Sequence, residues 1–452
     1  MFTLMIFAFI AGYLAIALEH PIRINKSATA LFLAVTLWVI LVIGGEQLLI
    51  NTGTFHEYLL KNPGGSFTDW LSHHALLEQL GEISEILFFL LGAMTIVELV
   101  DSHEGFRIIT DKIKTTNKVK LLWLIGTITF FLSSVLDNLT TAIVMVALLR
   151  KLIGDKKERW FYAGMVIIAA NSGGAFSPIG DVTTIMLWIG GYITSVNIII
   201  KTFVPSVLSM VIPLSLMSLA MRGRIQRMPE KTGEHTKDPT TQFERGVVFW
   251  LGIGSLLFVP VFKTLTHLPP YIGILLGLSL LWIVTEIMHK SKNDEYRSKR
   301  TVAGVLHRVD TSTILFFLGI LLAVAALNTA GHLDLLAKAL DKYVGNLYLI
   351  NIIIGLLSSV VDNVPLVAGA MGMYQNTFAT DHFFWEMLAY SAGTGGSILI
   401  IGSAAGVAVM GMEKIEFIWY LKKISLWALI GYLTGALAYW AMSVLIFNTC
   451  NT

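Results

Sequence analysis

Long apolar runs separated by short basic stretches give this chain its pattern. Residues 28–43, 246–262 and 311–331 carry no charged side chain. Runs of this kind reach or approach the ~20 residues that cross a bilayer as a helix. The pattern predicts an all-α polytopic membrane protein with the lipid bilayer as its surroundings. The first run, residues 3–18, has no basic stretch before it and reads as a retained helix rather than a cleaved signal peptide. Composition agrees, with 55% hydrophobic and 14% charged residues, where soluble proteins carry about a quarter charged residues.

The basic stretches orient the runs. Residues 23–26, 107–120, 150–159, 222–245, 290–308 and 414–423 hold 27 of the 32 Lys and Arg. Positive loops stay on the cytoplasmic side, so both termini are expected outside, across what would be a bacterial inner membrane. One interval does not fit a simple crossing. Residues 121–149 are apolar, yet both flanks are basic, and two crossings need ~40 residues. A re-entrant hairpin fits, spanning about 119–150 with its tip near Asp137-Asn138. A second hairpin, about 347–376, has flanks poor in basic residues and enters from outside, with its tip near Asp362-Asn363.

These elements recur. "SSVLDN" at 133–138 matches "SSVVDN" at 358–363, 225 positions later. Each hairpin is preceded by "ILFFLLG" (86–92) or "ILFFLG" (314–319) and followed by a glycine-rich run, 171–184 or 391–406. Three motifs repeated in order indicate an internal duplication. Five crossings plus a hairpin per copy is an odd number, which turns the second copy upside down. The expected layout is a first inverted repeat at 1–221, a cytoplasmic linker at 222–245 and a second repeat at 246–452. Each repeat contains a broken helix, about 160–190 and about 384–411. Gly173-Gly174 with Pro178, and Gly395-Gly396 with Gly402, are expected to unwind these helices. Discontinuous helices at the membrane midplane are a recurrent transporter device. The competing reading is that the glycines only let helices pack closely.

The chemistry is acidic and oxygen-rich. Asp137 and Asp362 sit at the tips and Asp181 closes the first break. A carboxylate at this depth costs ~3 kcal/mol on insertion scales, and no Lys or Arg lies within either hairpin interior or either break. An anion would be repelled; a proton or a hard cation would relieve the cost. Asp137, Asn138, Asp362 and Asn363 are the expected Na+/Li+ ligands. Ser133, Ser134, Thr140, Ser358 and Ser359 add oxygens at the tips. Asn171, Ser172, Ser177, Thr394, Ser397 and Ser403 add oxygens at the breaks. Ser133 with Asp137, and Ser358 with Asp362, are four apart and share a helix face. Alternatively these serines bond back to their own helix carbonyls. Glu85 and Glu98 are candidates for a separate proton path. The single cysteine, Cys450, excludes disulfides and Cys-ligated metal centres. No cofactor beyond the transported ions, and no nucleic-acid partner, is expected.

The paired Asp-Asn tips and the break "NSGGAFSPIGD" resemble the NhaD-type sodium/proton antiporters of the ion transporter superfamily, and the resemblance extends over nearly all of the chain. It implies export of Na+ or Li+ in exchange for protons, movement of the hairpin-bearing part against a scaffold, and a homodimer. The copies are unequal, because Asp181 matches Ser403. Two rivals remain. An anion/sodium symporter of the same superfamily calls for neutral Ser-Asn-Thr tips or buried basic residues, and neither is present. Gly180-Asp181 resembles half of the Gly-x-Gly-Asp motif of intramembrane aspartyl proteases, but Pro178 replaces the first glycine and Ser403 the duplicate acid.

Overall fold

The computed structural model describes residues 1–446 apart from 18, 51–52, 222, 226–239 and 291. Most of the expected linker, and Cys450, lie outside the described residues. Regular structure among the described residues is helical throughout, with one isolated bridge between Asn117 and Arg224. Eight of these helices are long and apolar enough to cross a membrane, and a ninth is possible if the bent pair His332–Tyr343 and Leu347–Leu357 counts as one span. The chain is an all-α polytopic membrane protein.

Two compact units are distinguishable. One comprises residues 1–88, 310–350 and 364–379. Its centre is the pairing of helix Lys26–Gly44 with helix Thr311–Thr329. Gly319 lets the backbones meet: a methyl group there would lie 2.6 Å from the Ala30 carbonyl carbon. Trp38 donates to the Leu322 carbonyl at 2.9 Å and Ser27 to the Ser312 carbonyl at 2.6 Å. Such bonds count in lipid, where no water satisfies a backbone or side-chain polar group.

The other unit comprises residues 89–309, 351–363 and 380–452 and holds both hairpin tips and both broken helices. The stretch expected to form the first hairpin is helix Lys118–Leu136, then Asp137, then helix Asn138–Leu152. Asp137 has φ 112°, a region costly to a residue with a Cβ, about 1–3 kcal/mol. Its side chain offsets this by capping the return arm: Thr140 donates to it through N at 2.8 Å and Oγ1 at 2.7 Å. The return arm of 15 residues climbs ~22 Å at 1.5 Å per residue. At the second tip, residues 358–362 separate helix Leu347–Leu357 from helix Asn363–Tyr374.

The first broken helix runs Lys156–Ala175, then Val182–Ile189; the second runs Phe383–Gly395, then Ala404–Glu413. Gly173 and Gly174 are therefore helical, against the expected unwinding, and so is Gly395. Their role is close packing. A methyl group on Gly173 would lie 2.1 Å from the Phe130 carbonyl oxygen, and one on Gly395 2.0 Å from that of Gly355. The unwound stretches are 176–181 and 396–403, which hold Pro178, Gly180, Gly396 and Gly402. One further boundary differs: the helix after the linker begins at Gln242, inside the expected linker, because Thr241 and Glu244 form a capping box that starts it.

Candidate functional site

The two copies use the same local contacts. Ser133 donates to the Ala170 carbonyl at 2.6 Å, and Ser358 to the Ala392 carbonyl at 2.7 Å. Each bond fastens a hairpin to the broken helix that follows it. Ser134 donates back to Phe131 at 2.8 Å, and Ser359 to Leu356 at 2.7 Å. A methyl group on Gly180 would meet the Ser133 carbonyl, and one on Gly402 the carbonyls of Ser358 and Ser359. Asp181 and Ser403 then cap the second halves of the broken helices with nearly the same backbone, φ −144° and −142°.

Capping gives Asp181 its place. Thr183 donates to Asp181 Oδ1 through N and Oγ1, both at 2.9 Å. Asn138, from the first tip, donates Nδ2 to Asp181 Oδ2 at 2.6 Å. Asn363, from the second tip, approaches the same carboxylate at 3.3 and 3.4 Å. Asp181 is 1% exposed, so these donors stand where water would otherwise be. Asp137 and Asp362 are both within electrostatic reach of this centre.

Asn171 extends the cluster. Its Oδ1 accepts from Asn138 at 3.1 Å, and its Nδ2 donates to Ser397 at 2.9 Å and Ser403 at 3.0 Å. The equivalent position in the second copy is Gly393, where a methyl group would already lie 3.1 Å from the Ala175 Cβ and 3.8 Å from Asp181 Oδ2. There is room for one asparagine between the two breaks. The cluster is thus asymmetric, with Asp181 at one helix cap and Ser403 at the matching one.

Six of the residues expected at the site, Asn138, Asn171, Asp181, Asn363, Ser397 and Ser403, are joined in one hydrogen-bonded cluster. Others are engaged elsewhere. Thr140 caps with Asp137. Ser172 accepts from Ser209 at 2.8 Å. Ser177 donates to the Ser134 carbonyl at 2.5 Å, and Thr394 to the Tyr390 carbonyl at 2.5 Å. Of the acids proposed for a separate proton path, Glu98 lies 3.7 Å from Arg308.

Three residues were not anticipated. Thr183 was signalled by Asp-x-Thr, a capping pattern that places a donor two residues after the acid. Glu386 is fully buried and accepts from Tyr439 at 2.6 Å, with Lys201 at 3.2 Å and Asn197 also donating. Glu413, 2% exposed, is gripped by Arg150 and Arg159, each at 2.6 Å. Glu386 stands alone in an apolar run, but the basic or amide partners of both acids lie about 180 to 260 residues away.

Comparison with known proteins follows the same lines. A family model described as "Citrate transporter" matches residues 13–390. "Sodium/proton antiporter 1" of Arabidopsis thaliana is 48% identical over 98% of this chain and 72% of its own length. "Sodium/proton antiporter 2" of the same plant is 45% identical over 95% of this chain and 97% of its own length. "Na(+)/H(+) antiporter NhaD" of Vibrio cholerae is 31% identical over 93% of this chain and 87% of its own length. With the family model matched over most of its length and relatives this similar, the chain belongs to the NhaD-type sodium/proton antiporters.

Proposed function

We propose that this chain exchanges Na+ or Li+ for H+ across the membrane, with Asp181 as the group that cation and proton compete for. The observation carrying this reading is the convergence of Asn138 and Asn363 on a buried carboxylate whose hydrogen-bond partners are all neutral. A buried carboxylate without a basic partner needs either a proton or a metal ion to offset its desolvation. When one arrives the other leaves, and that competition is enough to couple the two fluxes. The printed names of the relatives, sodium/proton antiporters, support the same ion pair here.

The donor set suits a hard cation. Sodium prefers several oxygens, as its hard divalent counterparts do. Asn138 and Asn363 present amide nitrogens to Asp181, and a half-turn of either amide presents its oxygen instead. Ser397, Ser403 and Thr183 add hydroxyl oxygens close by. Asp137 and Asp362 add charge at the tips that favours a cation over an anion.

We further read the chain as two inverted repeats, 1–221 and 246–452, working by alternating access. The hairpins close on the site from opposite sides, and the protein acts as a homodimer in the membrane with both termini outside. The repeated contacts at offsets of 222 and 225 support the duplication. The family description "Citrate transporter" would suggest an anion. That fits poorly with three acids around the cluster and, among the described residues, no Lys or Arg bonded to it.

The deciding assay is dequenching of a pH gradient in everted vesicles, with each solute added in turn. Na+ or Li+ should collapse the gradient, and citrate should not. A response to citrate alone would transfer the chain to the anion reading.

A further inference from the structure

Away from Asp181, two histidines lie ring to ring. His103 follows helix Leu76–Ser102, and His289 ends helix Pro270–His289. Both are 0% exposed. Their Nε2 atoms are 3.3 Å apart and their ring planes are within 10° of parallel.

The partners fix the hydrogens. His103 Nδ1 lies 2.7 Å from the Leu99 carbonyl oxygen, which only accepts, so Nδ1 carries the hydrogen. Ser102 Oγ, 3.2 Å from the same nitrogen, spends its own hydrogen on that carbonyl at 2.9 Å. In a neutral ring His103 Nε2 is then bare, and it accepts from His289 Nε2–H. That leaves His289 Nδ1 bare, and it is the buried ring nitrogen of the pair that lacks a partner. A bare nitrogen there costs less than an unmatched N–H would, so the geometry describes two neutral rings sharing one hydrogen bond.

A further proton has no good place. On His289 Nδ1 it creates a buried donor without an acceptor, which costs about 1–3 kcal/mol or more. On His103 Nε2 it turns two N–H groups toward each other. The surrounding charges give little relief. Glu244 is held by Lys292 at 3.1 Å and by the Tyr296 hydroxyl at 3.2 Å. Glu286 is paired with Arg297 at 3.2 Å. Glu104 is taken by Arg245 at 2.6 Å and Arg107 at 3.2 Å. Arg300 lies over the Tyr296 ring at 4.3 Å, and that ring meets His289 edge-on at 5.2 Å. Each of these three acids has its own base, and Arg300 adds positive charge.

We propose that the His103–His289 pair is a proton-operated catch, which fastens the ends of its two helices when neutral and releases them on acidification, slowing turnover. The direction follows from linkage. Burial pushes His103 down to about 4 from its ordinary value. An opened, hydrated pair would titrate near the ordinary ~6.5. Between those values only the open form protonates His103, so acidification favours opening, up to about tenfold per pH unit. Above pH ~6.5 neither form takes it, and pH has no effect through this pair. The two basic stretches beside the pair, 107–120 and 290–308, place it on the side expected to be cytoplasmic. Under the proposed exchange, incoming protons accumulate on that side, so release of the catch would slow the transporter in an acidified cell.

The test uses His289→Gln, whose amide can still donate to His103 Nε2 but does not titrate, with His103→Gln as the second variant. Two readouts are taken on the full chain. The first is thermal stability of the purified protein between about pH 8 and pH 5, without any transported ion. The second is the maximal rate at saturating Na+, which removes the effect of ion–proton competition for Asp181. The wild type should lose stability and maximal rate below about pH 6.5. Either variant should flatten both losses several-fold while matching the wild type at about pH 8. Identical pH profiles in wild type and both variants would overturn the proposal. If the wild type transports no Na+ at any pH, the exchange reading fails, and the stability profiles still decide the catch.

Discussion

Asn138 and Asn363 stand 225 positions apart, yet both direct an amide nitrogen at the carboxylate of Asp181. The tip aspartates beside them had drawn attention in the sequence. At the first tip the asparagine makes the contact with Asp181, and Asp137 turns its oxygens back onto Thr140 to cap its own helix.

Replacing Asp181 with Asn removes the charge at this centre and keeps the shape. Cation-dependent proton movement should fall at least a hundredfold with expression retained, because the hydrogen-bonded cluster then loses the carboxylate for which cation and proton compete. Ser403→Ala, at the equivalent cap, should cost a few-fold at most. Equal transport by Asp181→Asn and wild type in the dequenching assay would rule out a shared site at Asp181. For the wild type, competition requires apparent Na+ affinity to weaken as pH falls. An affinity independent of pH over the active range would move the proton to another group.

Asn138→Ala and Asn363→Ala each remove one donor from Asp181 and one oxygen from a cation. Since the two residues hold equivalent positions, their effects should be similar. We expect about tenfold weaker apparent Na+ affinity for each, on the scale of one charge-assisted hydrogen bond, about 1.5–3 kcal/mol. Titration of the response with Na+ measures this, and unchanged affinity in both variants would count against the site.

The tip acids separate charge from architecture. Asp137→Asn keeps a capping oxygen, whereas Asp137→Ala loses the cap, worth about 1 kcal/mol, in addition to the charge. If the charge matters, Asp137→Asn or Asp362→Asn should already abolish cation-dependent proton movement. If both Asn variants are fully active and only Asp137→Ala fails, the carboxylates are structural.

Glu413 makes a prediction about stability alone. It is buried with two arginines at 2.6 Å. Removing one partner of a buried ion pair strands the others, at a cost of about 3–5 kcal/mol. Glu413→Ala should therefore lower the unfolding temperature of the purified protein sharply. Arg159→Ala should cost more than Arg150→Ala, since the Arg159 side chain is 13% exposed and that of Arg150 45%. The reverse order in a thermal-shift series would refute that ranking.

Inversion of the repeats is checked by cysteine labelling. Sites at Lys156-Lys157 should react from the cytoplasmic side only, and sites at 375–379 from the outside only. Reaction of both from one side would contradict two hairpins of opposite entry.

The amino-acid sequence alone determined the class and the outline. Uncharged runs long enough to span lipid specify membrane helices, since no other open structure satisfies its backbone there. The matched "SSVLDN" and "SSVVDN" stretches located both tips, and the helix break falls at Asp137 itself. Tertiary structure decided which side chains meet. Sequence spacing puts Ser133 and Asp137 on one helix face, but Ser133 bonds to Ala170 on the first broken helix instead. The glycine pair 173–174 is a point of contact rather than of unwinding, because the carbonyls of Phe130 and Gly180 approach Gly173 and Gly174 too closely for a Cβ. Nothing local distinguishes Asn138 from Asp137 as the residue facing Asp181. At the first tip Asp137, at φ 112°, turns its carboxylate to the helix cap while Asn138 reaches Asp181. Asn171 reaches across 232 residues to Ser403 because packing leaves space for one asparagine between the two breaks, and no periodicity along a chain records the space between helices distant in sequence.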